Sequence, residues 1–373
     1  MDEMVYTPAG LVRKSNVHLV DSEHHLNIKN GHIQIIHTKT GTLSQEFADT
    51  LTENIIGNNR STFSYFKNNN PTNDSSGWNT FTYWYNNSNN PITYFSTNWN
   101  VPSLPTTNSH QLIYLFNGLV SFTPNCILQP VLQWGISPAG GGYYWSITNW
   151  YVWGSNSSQY FHGSLIKVDP GTNLQGVIKL MSDSNNTFSY YSSFTGYSSG
   201  SELQINNSPQ LTWAYEALEA YGITKATDYS SDERIKMSDI QIKVGNTFPS
   251  MTWYPINVVT EYGRHIYIVS NSSVNGEVDI YFHTVSTTFS LLQNYPNPFN
   301  LSTIFSFSLP SNSFVSLKIY DLLGREVTTI VSEEMLAGSY SKQWVATKIS
   351  SGIYFCRLQV GSSIETKKIV LMK

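Results

Sequence analysis

Apolar and polar positions alternate with a period close to two along most of the chain, the pattern of strands with one buried face. Short runs of this kind recur through residues 91–283: ITYFSTNW, HQLIYLFNGL, CILQPVLQW, YYWSITNWYVW, LQGVIKLM, FSYYSSF, SDIQIKV, HIYIVS and EVDIYFH. Turn-forming clusters separate them: PTTN, PAGGG, GSNSS, DPGT, SDSNN and NSSVNG. Strand and helix do not alternate regularly, so a parallel doubly wound sheet is disfavoured. The spacing predicts an antiparallel β-sandwich over residues 61–285.

One segment, SPQLTWAYEALEAYGI at 208–223, also reads as a helix. Pro209 suits a first helical position, Leu211, Tyr215 and Leu218 share a helical face, and Gly222 suits the position after a helix end. Read as a strand, the same residues put Trp213, Tyr215, Ala217, Glu219 and Tyr221 on one face and Ala214, Glu216, Leu218 and Ala220 on the other. Local propensity favours the helix, and both readings stay open.

Residues 1–60 are polar and mixed, an N-terminal segment that reads as a pro-region or a truncated start. GHIQIIHTKTG has strand and turn signals. His18, His24, His25, His32 and His37 are scattered without ligand spacing and read as solvated histidines, so no metal site is expected. No apolar stretch of the length of a signal-peptide core opens the chain. Asn/Ser/Gly-rich stretches at 68–77 and 86–90 read as surface loops, and TVSTT at 284–288 as a linker.

A second strand-rich block begins near residue 286. Phe305, Phe307 and Leu309 alternate, as do Val315, Leu317 and Ile319, then Tyr354, Cys356 and Leu358. About 85 residues of short antiparallel strands predict a small immunoglobulin-like sandwich.

Composition sharpens this picture. Charged residues are 12% of the 373, against a usual ~25%, while aromatics reach 14%. That balance suits strands and an extracellular surface. The formal net charge is −4 and no Lys/Arg run occurs, which argues against a nucleic-acid partner. No stretch approaches the ~20 apolar residues of a membrane span, so no transmembrane segment is expected. Cys126 and Cys356 fall in different blocks, and no disulfide between them is expected.

The C-terminal block resembles the C-terminal sorting domain of type IX secretion cargo of Bacteroidetes. The matching pieces are QNYPNPFN at 293–300, FSLP at 307–310, VSLKIYDLLGREV at 315–327, AGSY at 337–340, SSGIYFCRL at 350–358 and KKIVLMK at 367–373. Leu301 departs from the proline usual there. The resemblance implies that residues 286–373 engage the type IX secretion machinery, and that the protein is secreted or held on the outer-membrane surface.

In the body, HExxH, P-loop and Rossmann signatures are absent, as are paired carboxylates of the ExDxxE glycosidase type, which removes several common hydrolase classes. TNWNVPSLP at 97–105, FNGLVSFTPNCILQPVLQWG at 116–135 and YYWSITNWYVWG at 143–154 are followed by HGSLIKVDPGTNLQGVI and WAYEALEAYGI. This order resembles the glutamic peptidases (eqolisins) and their bacterial relatives over residues 95–260. The resemblance implies a lectin-like (concanavalin A-like) double sheet with a concave cleft and a peptide substrate. It also implies a catalytic pair, Gln129 and Glu219, with Glu216 competing for the second role. Trp134 and Trp150 are the candidate substrate-binding aromatics. In such a pair the carboxylate takes a proton from water, and the amide holds that water and stabilises the oxyanion. Neither cofactor nor metal is called for. The family's acidic residues on the Trp/Tyr strand are replaced here by Trp145, Ile147 and Asn149. The alternative reading is a lectin-like carbohydrate-binding or adhesive surface protein with no chemistry, its cleft taking polysaccharide.

Overall fold

A computed structural model describes residues 3–48, 78–122, 124–154, 159–197, 200–257, 264–282, 289–310, 313–335, 338–347 and 349–372. The loop expected at 68–77 and the linker expected at 284–288 lie outside the described residues. The chain is all-β, and among the described residues only two short 3-10 turns, Lys14–Asn16 and Ala226–Asp228, are helical. It divides into two compact units: Met1–Val258 with Ile266–Phe282, and Val259–His265 with His283–Lys373.

The larger unit is a sandwich of two broad sheets. Edge to edge, the nine-stranded sheet orders Tyr254–Asn257, Trp78–Tyr85, Trp213–Tyr221, Leu112–Phe122, Asn125–Ser137, Gly140–Trp153, Gln159–His162 and Val17–Leu19. Ile166–Lys167 pairs with Gly140–Trp153 to one side. The ten-stranded sheet orders His265–Ser270, Gly276–Tyr281, Arg234–Val244, Ile92–Asn100, Asn173–Ser184, Thr187–Phe194, Leu203–Ser208, His24–Lys29, His32–His37 and Leu43–Ala48. Two-residue turns set the register of two hairpins. Asn30 (φ 54°) with Gly31 (φ 77°), and Asn185 (φ 51°) with Asn186 (φ 59°), supply the paired positive φ angles of the type I′ turn, whose twist matches that of the strands.

Residues 3–48 are therefore in ordered structure. Val17–Leu19 adds a parallel strand to one sheet and His24–Ala48 adds three strands to the other. The five N-terminal histidines are all half-buried and so less solvated than their spacing suggests. His18 lies against Phe47 and Phe161 and bonds Gln159, and His24 pairs with Asp21.

The two sheets meet through a polar-studded interior. Asn149 accepts from the Ser192 hydroxyl and donates to the Ser201 carbonyl. Gly176 packs against side chains of the facing sheet. A Cβ there would lie 2.5 Å from Asn117 Oδ1 and 2.8 Å from both Pro130 and Trp99.

The segment 213–221, open between helix and strand, is a strand, and it is central. Its neighbours are Trp78–Tyr85 and Leu112–Phe122, and residues 214–221 are all buried. Burial on both faces and two full ladders of backbone hydrogen bonds outweigh a helix propensity worth only tenths of a kcal/mol per residue.

The smaller unit has a three-stranded sheet, Ser290–Leu291, Ser302–Leu309 and Gly338–Val345, and a four-stranded one, Glu326–Met335, Ser313–Tyr320, Gly352–Val360 and Ser363–Leu371. The alternating positions read from the sequence, Phe305, Phe307, Leu309, Val315, Leu317 and Ile319, form its core together with Cys356 and Trp344.

Candidate active site

Side-chain parity divides the central strand's two glutamates between environments. Glu216 faces the sandwich interior. It is fully buried, and the Thr97 hydroxyl from the opposite sheet donates to its Oε1 at 2.5 Å. Burial raises its pKa well above the usual carboxylate range, partly offset by the Thr97 bond. Glu219 faces the other way, with Tyr215, Ala217 and Tyr221, onto an aromatic-rich face of the nine-stranded sheet. It too is fully buried and its pKa is pushed well up by that burial, with the Tyr221 hydroxyl donating to Oε2 at 3.3 Å.

The same face carries Gln129 and Trp150, which are direct cross-strand partners. Trp150 is completely buried and its ring lies 5.0 Å from that of His162. Trp134 has the opposite parity and packs against Trp145 at 5.6 Å, so it belongs to the interior and not to this face. Gly118 lies beside Gln129, with an ordinary 3.4 Å from an ideal Cβ to Gln129 Cβ. A row thus crosses the sheet through Tyr254, Tyr83, Tyr215, Gly118, Gln129, Trp150 and His162, and Gly118 is the gap in it.

Gln129 and Glu219 share the face but not the row. Glu219 is opposite Tyr114, and Tyr114 is opposite Gln133. The row of Gln129 crosses the central strand at Tyr215, four residues from Glu219. Two strand spacings of about 4.8 Å sideways and four residues of about 3.4 Å along put the two Cα atoms roughly 17 Å apart. Side chains on strands stand nearly perpendicular to the sheet, so one water does not reach both. The amide in the row of Glu219 is Gln133, but both of its N–H groups are committed to backbone, Gly135 O and Gly140 O at 3.0 Å each.

The residue that sequence reading missed is Tyr114. It is fully buried, it faces Glu219 directly, and its hydroxyl donates to a backbone carbonyl, Tyr6 O, at 3.2 Å. Burial raises the phenol's pKa well above its usual value, and Glu219 adds to the rise. Only the register of two distant strands reveals the pairing, so no local signal marked it.

The backbone against these groups belongs to the N-terminal hairpin, Met4–Thr7 paired with Gly10–Arg13. Gln129 Nε2 donates to Pro8 O at 2.8 Å. The Gly10 backbone bonds the Tyr221 hydroxyl. The Tyr6 ring stacks on Tyr221 with centroids 4.3 Å apart. Among the described residues, Gln129 Oε1 and Glu219 Oε1 have no hydrogen-bond partner.

In the smaller unit, the QNYPNPFN segment is tied down by its asparagines. Asn294 Nδ2 donates to Thr303 Oγ1 at 2.9 Å and to Pro296 O at 3.0 Å. Asn297 Oδ1 accepts from Val370 N at 2.9 Å and so joins the segment to the last strand.

Scytalido-glutamic peptidase with a transition-state analogue inhibitor is 16% identical, with 56% of this chain and 98% of that chain covered and a TM-score of 0.36. SCP-B, a member of the eqolisin family of peptidases in a complex with the tripeptide Ala-Ile-His, is 13% identical, with 56% and 98% covered and a TM-score of 0.32. Among curated proteins none matches the chain. For the smaller unit the family model of the secretion system C-terminal sorting domain matches residues 293–372. Motif, strand order and family match agree: residues 293–372 are a secretion system C-terminal sorting domain, the kind that implies engagement with the type IX machinery and passage to the cell surface or beyond.

Proposed function

We propose that the chain is type IX secretion cargo whose larger unit, near residues 61–285 with the strands that precede it, is a glutamic-type peptidase. One observation carries the reading. A peptide segment lies on the aromatic face with one backbone carbonyl on Tyr114 and another on Gln129, beside a buried Glu219. A substrate in the same place would have its scissile carbonyl polarised by the Tyr114 hydroxyl. Glu219, ionised once water enters, takes a proton from that water as its oxygen attacks the carbonyl carbon. It then returns the proton to the leaving amine as the C–N bond breaks. Gln129 holds the substrate backbone two residues further along. The interior position of Glu216 excludes it from this chemistry.

The test is hydrolysis of a denatured protein between acid and neutral pH, with the N-terminal hairpin in place and after its cleavage. Glu219→Gln should abolish turnover. Tyr114→Phe, which removes one oxyanion donor, should lower kcat by on the order of 10²–10³. Gln129→Ala should act mainly on KM. Full activity in Glu219→Gln would end the proposal.

A second reading is favoured by a different observation. Tyr83, Tyr85, Trp213 and Tyr254 continue the face as an aromatic strip, with Tyr85 to Trp213 at 4.6 Å and Tyr83 to Tyr254 at 5.6 Å. Tyr85 and Tyr254 are exposed. Polysaccharide binding without hydrolysis, lost in Trp213→Ala, would make this unit a carbohydrate-binding module.

A further inference from the structure

Hairpin turns normally project into solvent. The N-terminal hairpin does the reverse. Its tip residues Thr7, Pro8 and Gly10 are buried, whereas Glu3, Met4, Tyr6, Leu11 and Arg13 are exposed. Among the described residues, its two strands form a ladder only with each other and make no pairing with either broad sheet. What holds the tip on the face is a set of side-chain and carbonyl contacts: Pro8 on Gln129, Tyr6 on Tyr114 and Tyr221, and Val12 among the apolar residues of the face. The strand after it, Val17–Leu19, is built into the nine-stranded sheet. Between the two lies an exposed turn, Lys14–Asn16, whose first residue pairs with Glu3 at 2.8 Å.

We propose that this hairpin is an intramolecular occupant of the cleft, seated as a peptide substrate would be, and that the site opens only when the hairpin leaves. Three features support it. The hairpin can leave without breaking any ladder of the two sheets. It occupies the donors, Tyr114 and Gln129, that a substrate backbone would need. It also covers Tyr114 and Tyr221, the two phenols beside Glu219, and Glu219 is fully buried while it stays. Its departure lets water reach Glu219 and lowers the carboxyl's pKa towards the usual range. Cleavage in the turn at 14–16 is the simplest release. One water adds across one peptide bond, leaving a carboxylate on the hairpin and an ammonium on the body, and a separate endopeptidase does the work.

The activity arm of the test rests on the peptidase reading, and the binding arm does not. A recognition sequence for a site-specific protease is placed between Lys14 and Ser15 of the full chain. The protein is cut after it has folded and is then passed through gel filtration. The hairpin should separate from the body, and faster in a Tyr6→Ala version that lacks the ring on Tyr221. A fluorescent synthetic peptide of residues 3–13 should bind the cut protein and not the uncut one. Hydrolysis of denatured protein should rise at least tenfold on cutting and be inhibited by the same peptide. Release and selective rebinding with no hydrolysis would sustain the occupant and refute the peptidase. A hairpin that stays with the body even as Tyr6→Ala, or equal peptide binding by cut and uncut protein, would overturn the inference.

Discussion

Glu216 offers the sharpest quantitative test of this arrangement. It is fully buried between the sheets and its pKa is raised by desolvation, with Thr97 as its hydrogen-bond donor. In the unfolded chain the carboxyl titrates near its ordinary value of about 4.3. Below that pH both states hold the proton, and the site contributes its full stability. Above it the unfolded state releases the proton while the folded state retains it, so stability falls by about 1.4 kcal/mol per pH unit until the raised folded pKa is reached. Glu216→Gln keeps the oxygen that accepts from Thr97 and cannot ionise. Between pH 4.5 and 6.5 the variant should therefore gain up to about 2.7 kcal/mol over the parent, following the same slope. Glu219 gives a slope of the same sign, but it is present in both proteins and cancels in the difference. Urea unfolding followed by tryptophan fluorescence at pH 4.5, 5.5 and 6.5 reads this difference. Trp344 is the only tryptophan beyond residue 253, so the signal reports mainly on the larger unit. A stability difference independent of pH would refute the buried, protonated Glu216.

Other outcomes follow from the same packing. Gly176→Ala, whose Cβ would meet Asn117, Pro130 and Trp99 at 2.8 Å or less, should destabilise the sandwich by about 1–3 kcal/mol in the same urea assay. Asn294→Ala removes the buried amide that donates to both the Thr303 hydroxyl and the Pro296 carbonyl, leaving only the Thr303–Pro296 bond between them, and should cost the sorting domain about 1–3 kcal/mol, measured as a lower Tm for residues 286–373. Deleting 289–373 from a signal-bearing gene should trap the product in the periplasm, as read by cell fractionation.

Much of this protein is local in origin and was legible in the residues. Period-two alternation and the turn clusters determine that it is all-β, because a strand's faces and a type I′ turn depend on residues a few positions apart. The sorting domain is legible for the same reason: its motif runs continuously, and the alternating residues named in advance are its core. Parity also put Glu219 on one face with Tyr215 and Tyr221 once 213–221 was read as a strand. Tertiary structure decided that it is a strand, since two neighbouring ladders and burial on both faces overrode its helical propensity. It decided that Glu219 meets Tyr114 and that Gln129 lies two rows away, because the register of the central strand is set by pairing with residues about a hundred positions away. It put Trp134 inside the sandwich and Trp150 on the face. It also brought Pro8 to Gln129 and Tyr6 to Tyr114, contacts spanning 121 and 108 residues. No pattern within the hairpin's own sequence records what its buried tip touches, because a docked hairpin and a free one share the same local geometry and differ only in the surface they meet.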